Sequence, residues 1–124
     1  PLVGASARRP PGNTTLARPA SLRSRHANEG GGLSGRPLRA AAGECLSAMY
    51  RLTAGRIPII GCGGIANGDD AYARIRAGAS LVQFYSALVF DGPALVGRVK
   101  RELAAYLRAD GFTAVADAVG ADHR

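Results

Sequence analysis

Cysteine is scarce in this chain, and its two copies are poorly placed for a structural job. Cys45 and Cys62 stand 17 positions apart, with no Cys-x-x-Cys and no neighbouring His pair. That spacing excludes a zinc site and offers no disulfide framework. Both read as small apolar side chains in a reducing compartment. Long apolar runs are missing too: none reaches the roughly 18 residues a membrane-spanning helix needs. No secretory leader is visible, but the chain opens at Pro1 rather than Met, so it reads as a piece of a longer protein. Acidic residues are outnumbered, with 9 Asp and Glu against 16 Lys and Arg and a net charge of +7. Such a surplus bears on solubility and loose attraction to anions, not on fold. No aromatic-and-basic RNA motif, zinc finger or helix-turn-helix pattern accompanies it, so nucleic acid is not an expected partner. What is present is 124 residues, 47% of them apolar. That suffices for one domain with a core and argues against global disorder.

Organisation changes along the chain. Residues 1–12, PLVGASARRPPG, lack periodicity and end in Pro-Pro-Gly, which reads as coil. Residues 13–37 are polar and Gly-rich; a loop of that length is usually functional or disordered. After Pro37 periodic segments begin. Leu46, Met49, Tyr50 and Thr53 predict a helix over 41–54, with Gly55 as its stop. Ile57, Ile59 and Ile60 predict a strand buried on both faces, ended by glycines 61, 63 and 64. Asn67 is a suitable N-cap for a helix over 68–77, with Asp69 and Asp70 at its positive end and Gly78 closing it. SLVQFY predicts a second strand near 80–85. Gly92-Pro93 opens a helix to about Ala109, striped by Leu95, Val96, Val99, Leu103, Tyr106 and Leu107; Gly111 stops it, and a short helix near 113–119 follows.

The strand–helix–strand rhythm implies a parallel sheet. Two strands cannot bury both faces of one, so further strands are expected. A (β/α)₈ TIM barrel takes about 250 residues, of which this would be the last quarter to half.

Three elements fall where such a barrel keeps its chemistry, past the C-terminal ends of strands. In Gly61-Cys62-Gly63-Gly64 the absent Cβ atoms let backbone N–H groups approach a phosphate, and the following helix points its positive end at the same place. A tight turn needing positive φ explains the same glycines equally well. Tyr85 and Ser86 end the second strand; their amides and the Ser hydroxyl suit a phosphate, although core packing and a turn are the simpler uses. The run from Gly30 to Gly35 reads as a flexible loop. Asn13-Thr14-Thr15 combines an amide with hydroxyls that could grip a polar substrate, or merely cap a turn. His26 reads as solvated and His123 as frayed, with no partners for a triad. GCGGIA also fits the dinucleotide fingerprint, but its candidate ribose acid, Asp91, lies 30 residues beyond Gly61, farther than that motif usually allows.

Taken together, NTTLARP, GGLSGRPL, IPIIGCGGI and AGASLVQFY, in that order, resemble the C-terminal part of class 2, quinone-linked dihydroorotate dehydrogenases. The resemblance runs from about Asn13 to Arg124, leaving 1–12 as an unrelated lead whose Pro-Pro cannot supply ladder N–H groups. It implies an α/β fold, the C-terminal part of a (β/α)₈ barrel, carrying non-covalent FMN. Dihydroorotate would be oxidised to orotate in pyrimidine synthesis, with a quinone as final acceptor. Matching positions imply that Asn13 and Thr14 hold substrate and that Gly35, Gly64, Tyr85 and Ser86 contact FMN, the last three around its phosphate. No residue here matches the family's serine base, and no metal is implied, so these residues alone are expected to be inactive. The family's membrane-docking helical region, which admits quinone at the cytoplasmic side of the inner membrane, has no counterpart here; alone, the segment is expected to be soluble. Cys62 replaces a usual Val, and Ala42-Gly43 replaces hydroxyl residues that would cap a helix, so its start is expected to fray. Two other readings stay open: a non-catalytic fragment, and an NAD-binding Rossmann unit.

Overall fold

Helical structure begins where Pro37 closes the Gly-rich loop. The structure, a computed structural model, describes residues 20, 21 and 23–124. Asn13, Thr14 and the lead 1–12 therefore lie outside the described residues. A 3₁₀ turn at Arg36–Leu38 runs directly into helix α1, Arg39–Thr53. This helix starts two residues earlier than its periodicity indicated, and Ala42-Gly43 lies inside it instead of at a frayed end. Packing supplies what a polar cap does not, because Leu38, Ala42 and Leu46 are buried on one side. Ala54, in the left-handed region at φ 51°, and Gly55 end it, their amides donating back to Arg51 O and Tyr50 O at 3.1 Å each.

Strand β1 is Ile59–Cys62, helix α2 Gly68–Arg76 and strand β2 Ala79–Gln83. The strands pair in parallel, from Ile59 opposite Ala79 to Cys62 opposite Gln83. Parallel pairing puts both C-terminal tips at the same end of the sheet. Asn67 caps α2 as its sequence suggests: the Asp70 amide donates to its Oδ1 at 2.8 Å. Gly61 does not end the first strand but belongs to it. It faces α2, and a Cβ there would stand 3.0 Å from that of Ala79 and 3.1 Å from that of Arg74.

Helix α3, Ser86–Asp91, follows β2 and was not expected. It is only six residues long and buries none of them, so it leaves no stripe to read. Helix α4, Ala94–Ala109, packs on α2 through Leu95, Val99 and Leu107. Val96 and Tyr106, placed on the same stripe by periodicity, lie at its edge, 46% and 41% exposed, with Tyr106 stacked on Tyr72. Helix α5, Val115–Ala118, and a 3₁₀ turn at Ala121–His123 complete the described chain. His123 is not frayed: its ring stacks on Tyr50 at 5.1 Å and its Nε2 lies 3.1 Å from Ala77 O.

Two apolar clusters form the core. One joins Leu46, Tyr72, Ile75, Ala79, Leu107 and Ala118; the other joins Ile65, Ala71, Leu95 and Val99. Both lie on the helical side of the sheet. On the other side Ile60 is 52% exposed and Leu81 64% exposed. Among the described residues the isoleucine strand is thus covered on one face only, where two paired strands leave the other face without a second layer.

Candidate functional site

The shared direction of β1 and β2 sets the site. Their tips sit side by side, and the loop before α1 folds over the same end. The three segments enclose a cavity of about 820 Å³. Ser34 to Pro37 form one wall, Cys62 to Ala66 a second, and Gln83 to Ala87 the third, with Phe90 and Asp91 at the side. Gly35, Gly64, Tyr85 and Ser86 all line it. A Cβ built on Gly35 would lie 3.8 Å from the Cβ of Ser86, so these two loops are in near contact.

Local backbone explains the glycines. Gly35, Gly63 and Gly64 have φ of 81°, 93° and 75°, a region other residues enter at a cost. Gly64 carries a second constraint, since a Cβ there would stand 2.6 Å from the backbone N of Arg39. Tyr85 is 76% exposed, which excludes core packing as its use. Ser86 is half-buried at the start of α3. Burial pushes the Cys62 thiol above its ordinary value of 9.0, against the opposing pull of the Gly63 amide and the Arg74 charge. The group is therefore a neutral wall residue at physiological pH, not a nucleophile. Asp91, the candidate ribose acid, pairs with Arg98.

Beneath the cavity is a polar cluster that sequence reasoning missed. Arg74 and Asp70 are both 5% exposed. Arg74 Nη2 donates to Arg39 O at 2.6 Å and to Gly63 O at 3.0 Å. Asp70 Oδ2 accepts from the Ala66 amide at 3.0 Å, and its Oδ1 lies 2.5 Å from Arg39 Nε, close enough for ion pairing without hydrogen-bond alignment. Burial lowers the Arg74 pKa, while the Asp70 charge raises it. The four-residue spacing of Asp70 and Arg74 on α2 was the available signal. Asp and Arg usually stand on a solvated helix face, so that spacing by itself does not point to burial. Arg36, Pro37, Phe84 and Phe90 were also not anticipated as lining residues.

Fold and site together define a β/α segment whose paired strand tips and preceding glycine loop line a ligand-sized cavity. The family model for dihydroorotate dehydrogenase matches residues 11–107. The dihydroorotate dehydrogenase (quinone) of Azorhizobium caulinodans is 70% identical over 113 residues, covering 91% of this chain and 32% of that protein. The mitochondrial dihydroorotate dehydrogenase (quinone) of Mus musculus is 55% identical over 112 residues, covering 90% of this chain and 28% of that one. The crystal structure of DHODH from Eimeria tenella in complex with ferulenol superimposes with a TM-score of 0.83 at 53% identity, over 90% of this chain and 30% of that chain. The chain belongs to the dihydroorotate dehydrogenase family, an oxidoreductase family. It spans about a third of the length of the relatives it matches. Its β1–α2–β2 unit is part of that family's (β/α)₈ barrel, so the glycine fingerprint does not mark a Rossmann unit. Among the described residues no helix is long and apolar enough to cross a membrane.

Proposed function

We propose that this chain carries the phosphate end of the FMN site of a quinone-linked dihydroorotate dehydrogenase. The observation that carries the reading is the convergence of Gly35, Gly64, Tyr85 and Ser86 on one cavity at paired parallel strand tips. The cavity fits the group. Its volume of about 820 Å³ falls within the roughly 300–1,000 Å³ of small-molecule sites. Gly35, Gly63 and Gly64 are among its lining residues, and so is Arg36. Backbone N–H groups at Gly64, Tyr85 and Ser86, with the Ser86 hydroxyl, suit a phosphate dianion. The flavin ring supplies the redox chemistry when bound; the chain's share is to hold and orient it and to keep water from the bound face.

In the whole enzyme dihydroorotate becomes orotate, within the synthesis of UMP, and a quinone is the final acceptor. By resemblance, Asn13 and Thr14 grip the substrate through an amide and a hydroxyl, which together donate and accept. Contact with the cytoplasmic face of the inner membrane is assigned to parts of the relatives that these residues do not match.

Two measurements test the reading. Titration with FMN, followed by flavin fluorescence, is expected to show saturable binding that riboflavin reproduces only weakly. Dihydroorotate-dependent dye reduction by these 124 residues is expected to be absent, because no residue matches the family's serine base. Equal affinity for FMN and riboflavin would defeat the phosphate assignment. Turnover at the rate of full-length relatives would defeat the expectation of inactivity.

A further inference from the structure

We propose that Arg74 is a positioning residue of the cavity, locking the strand-tip loop at Gly63–Ala66 to the loop that runs from Ser34 into α1. The inference rests on the FMN reading only for what the cavity holds; the lock is argued from geometry. The two loops meet at Gly64, where there is no room even for a methyl group against the Arg39 backbone. One buried guanidinium bonds to a carbonyl on each side of that junction, Gly63 O and Arg39 O, through a single nitrogen. Two glycines are shaped around this side chain. A Cβ at Gly61 would stand 3.1 Å from Arg74 Cβ, and a Cβ at Gly43 would stand 2.5 Å from Arg74 Nη1. The Asp70 carboxylate repeats the pattern, holding the Ala66 amide of one loop and the Arg39 side chain at the end of the other.

Neither Arg74 nor Asp70 lines the cavity, so neither touches the ligand directly. Their effect passes through Gly63, Gly64 and Arg39, which set where the amides point. Because each loop is fixed at one end by the same cation, loosening one loosens both. A cap or a core contact would act on its own segment alone.

The test is hydrogen exchange by mass spectrometry on the wild-type chain, R74M and R74K, with FMN and riboflavin titrations in parallel. R74M keeps the unbranched stem as far as the Nε position and removes both bonds. It is expected to speed exchange in residues 34–39 and 63–66 together by roughly tenfold, the loss of about one charge-assisted hydrogen bond, while α4 is unchanged. R74K retains a cation that reaches one carbonyl, and is expected to fall between and to remain folded if R74M does not. FMN affinity is expected to fall in the same order, with riboflavin affinity unmoved. Wild-type exchange in both loops, or equal acceleration in every helix, overturns the lock. Loosened loops in a chain whose wild-type form shows no preference for FMN over riboflavin overturn the cofactor reading instead.

Discussion

Replacing Gly64 with alanine separates two costs that the fold imposes at one position. The first is conformational. At φ 75° an L-residue pays about 1–2 kcal/mol for left-handed backbone. The second is steric. The new Cβ would stand 2.6 Å from Arg39 N and 2.7 Å from Arg39 Cα. Backbone cannot swing aside as a flexible side chain can, so overpacking adds about 1–3 kcal/mol. Together the loss is about 2–5 kcal/mol, a large part of the roughly 5–15 kcal/mol that holds an ordinary domain together. Gly111 is the matched control, with φ 78° and nothing within 4 Å of its would-be Cβ. G111A carries the conformational cost alone, about 1–2 kcal/mol. Urea unfolding followed by helical circular dichroism measures both. G64A is expected to be the less stable by about 1–3 kcal/mol, and to lose FMN binding at urea concentrations where it is still folded. Equal losses in G64A and G111A would refute the claim that the two loops touch at Gly64.

Further outcomes follow from single contacts. S86A is expected to weaken FMN binding by roughly tenfold or more, the worth of one hydrogen bond to a charged group, with thermal stability unchanged. N67A removes the oxygen that accepts from the Asp70 amide and is expected to cost about 1 kcal/mol in urea unfolding. Burial first, then the hydrogen bond to Asp110, raises the Tyr72 pKa above its ordinary 10.0. The unfolded chain therefore gives up this proton before the folded one, so stability falls as pH rises past about 10. Y72F is expected to flatten that alkaline decline in a series of thermal melts at increasing pH, and an unchanged slope counts against the Tyr72–Asp110 contact.

Much of the local structure was legible because it depends on neighbours in the chain. Asn67, with Asp69 and Asp70 behind it, announces a helix start through a bond that spans three residues. The glycines at 55, 78 and 111 mark stops because each follows an apolar period and supplies positive φ. The order of elements, and hence the parallel sheet, follows from alternating β-branched and helical stretches. Four of the six site residues were found to line one cavity; Asn13 and Thr14 lie outside the described residues. Their grouping was proposed from resemblance, because a glycine loop alone does not distinguish a phosphate cradle from a turn.

Composition, charge, the strand–helix–strand order and the glycine-stopped helices were determined by the sequence alone, since each rests on residues within a turn or two of one another. Tertiary structure decided the rest. It placed Gly61 inside a strand, buried the Arg74 guanidinium between two loops, and docked His123 on Tyr50. The reason is distance along the chain. Arg74 and Arg39 are 35 residues apart, and whether a guanidinium meets water or two carbonyls depends on where the fold carries both ends, which no local period records.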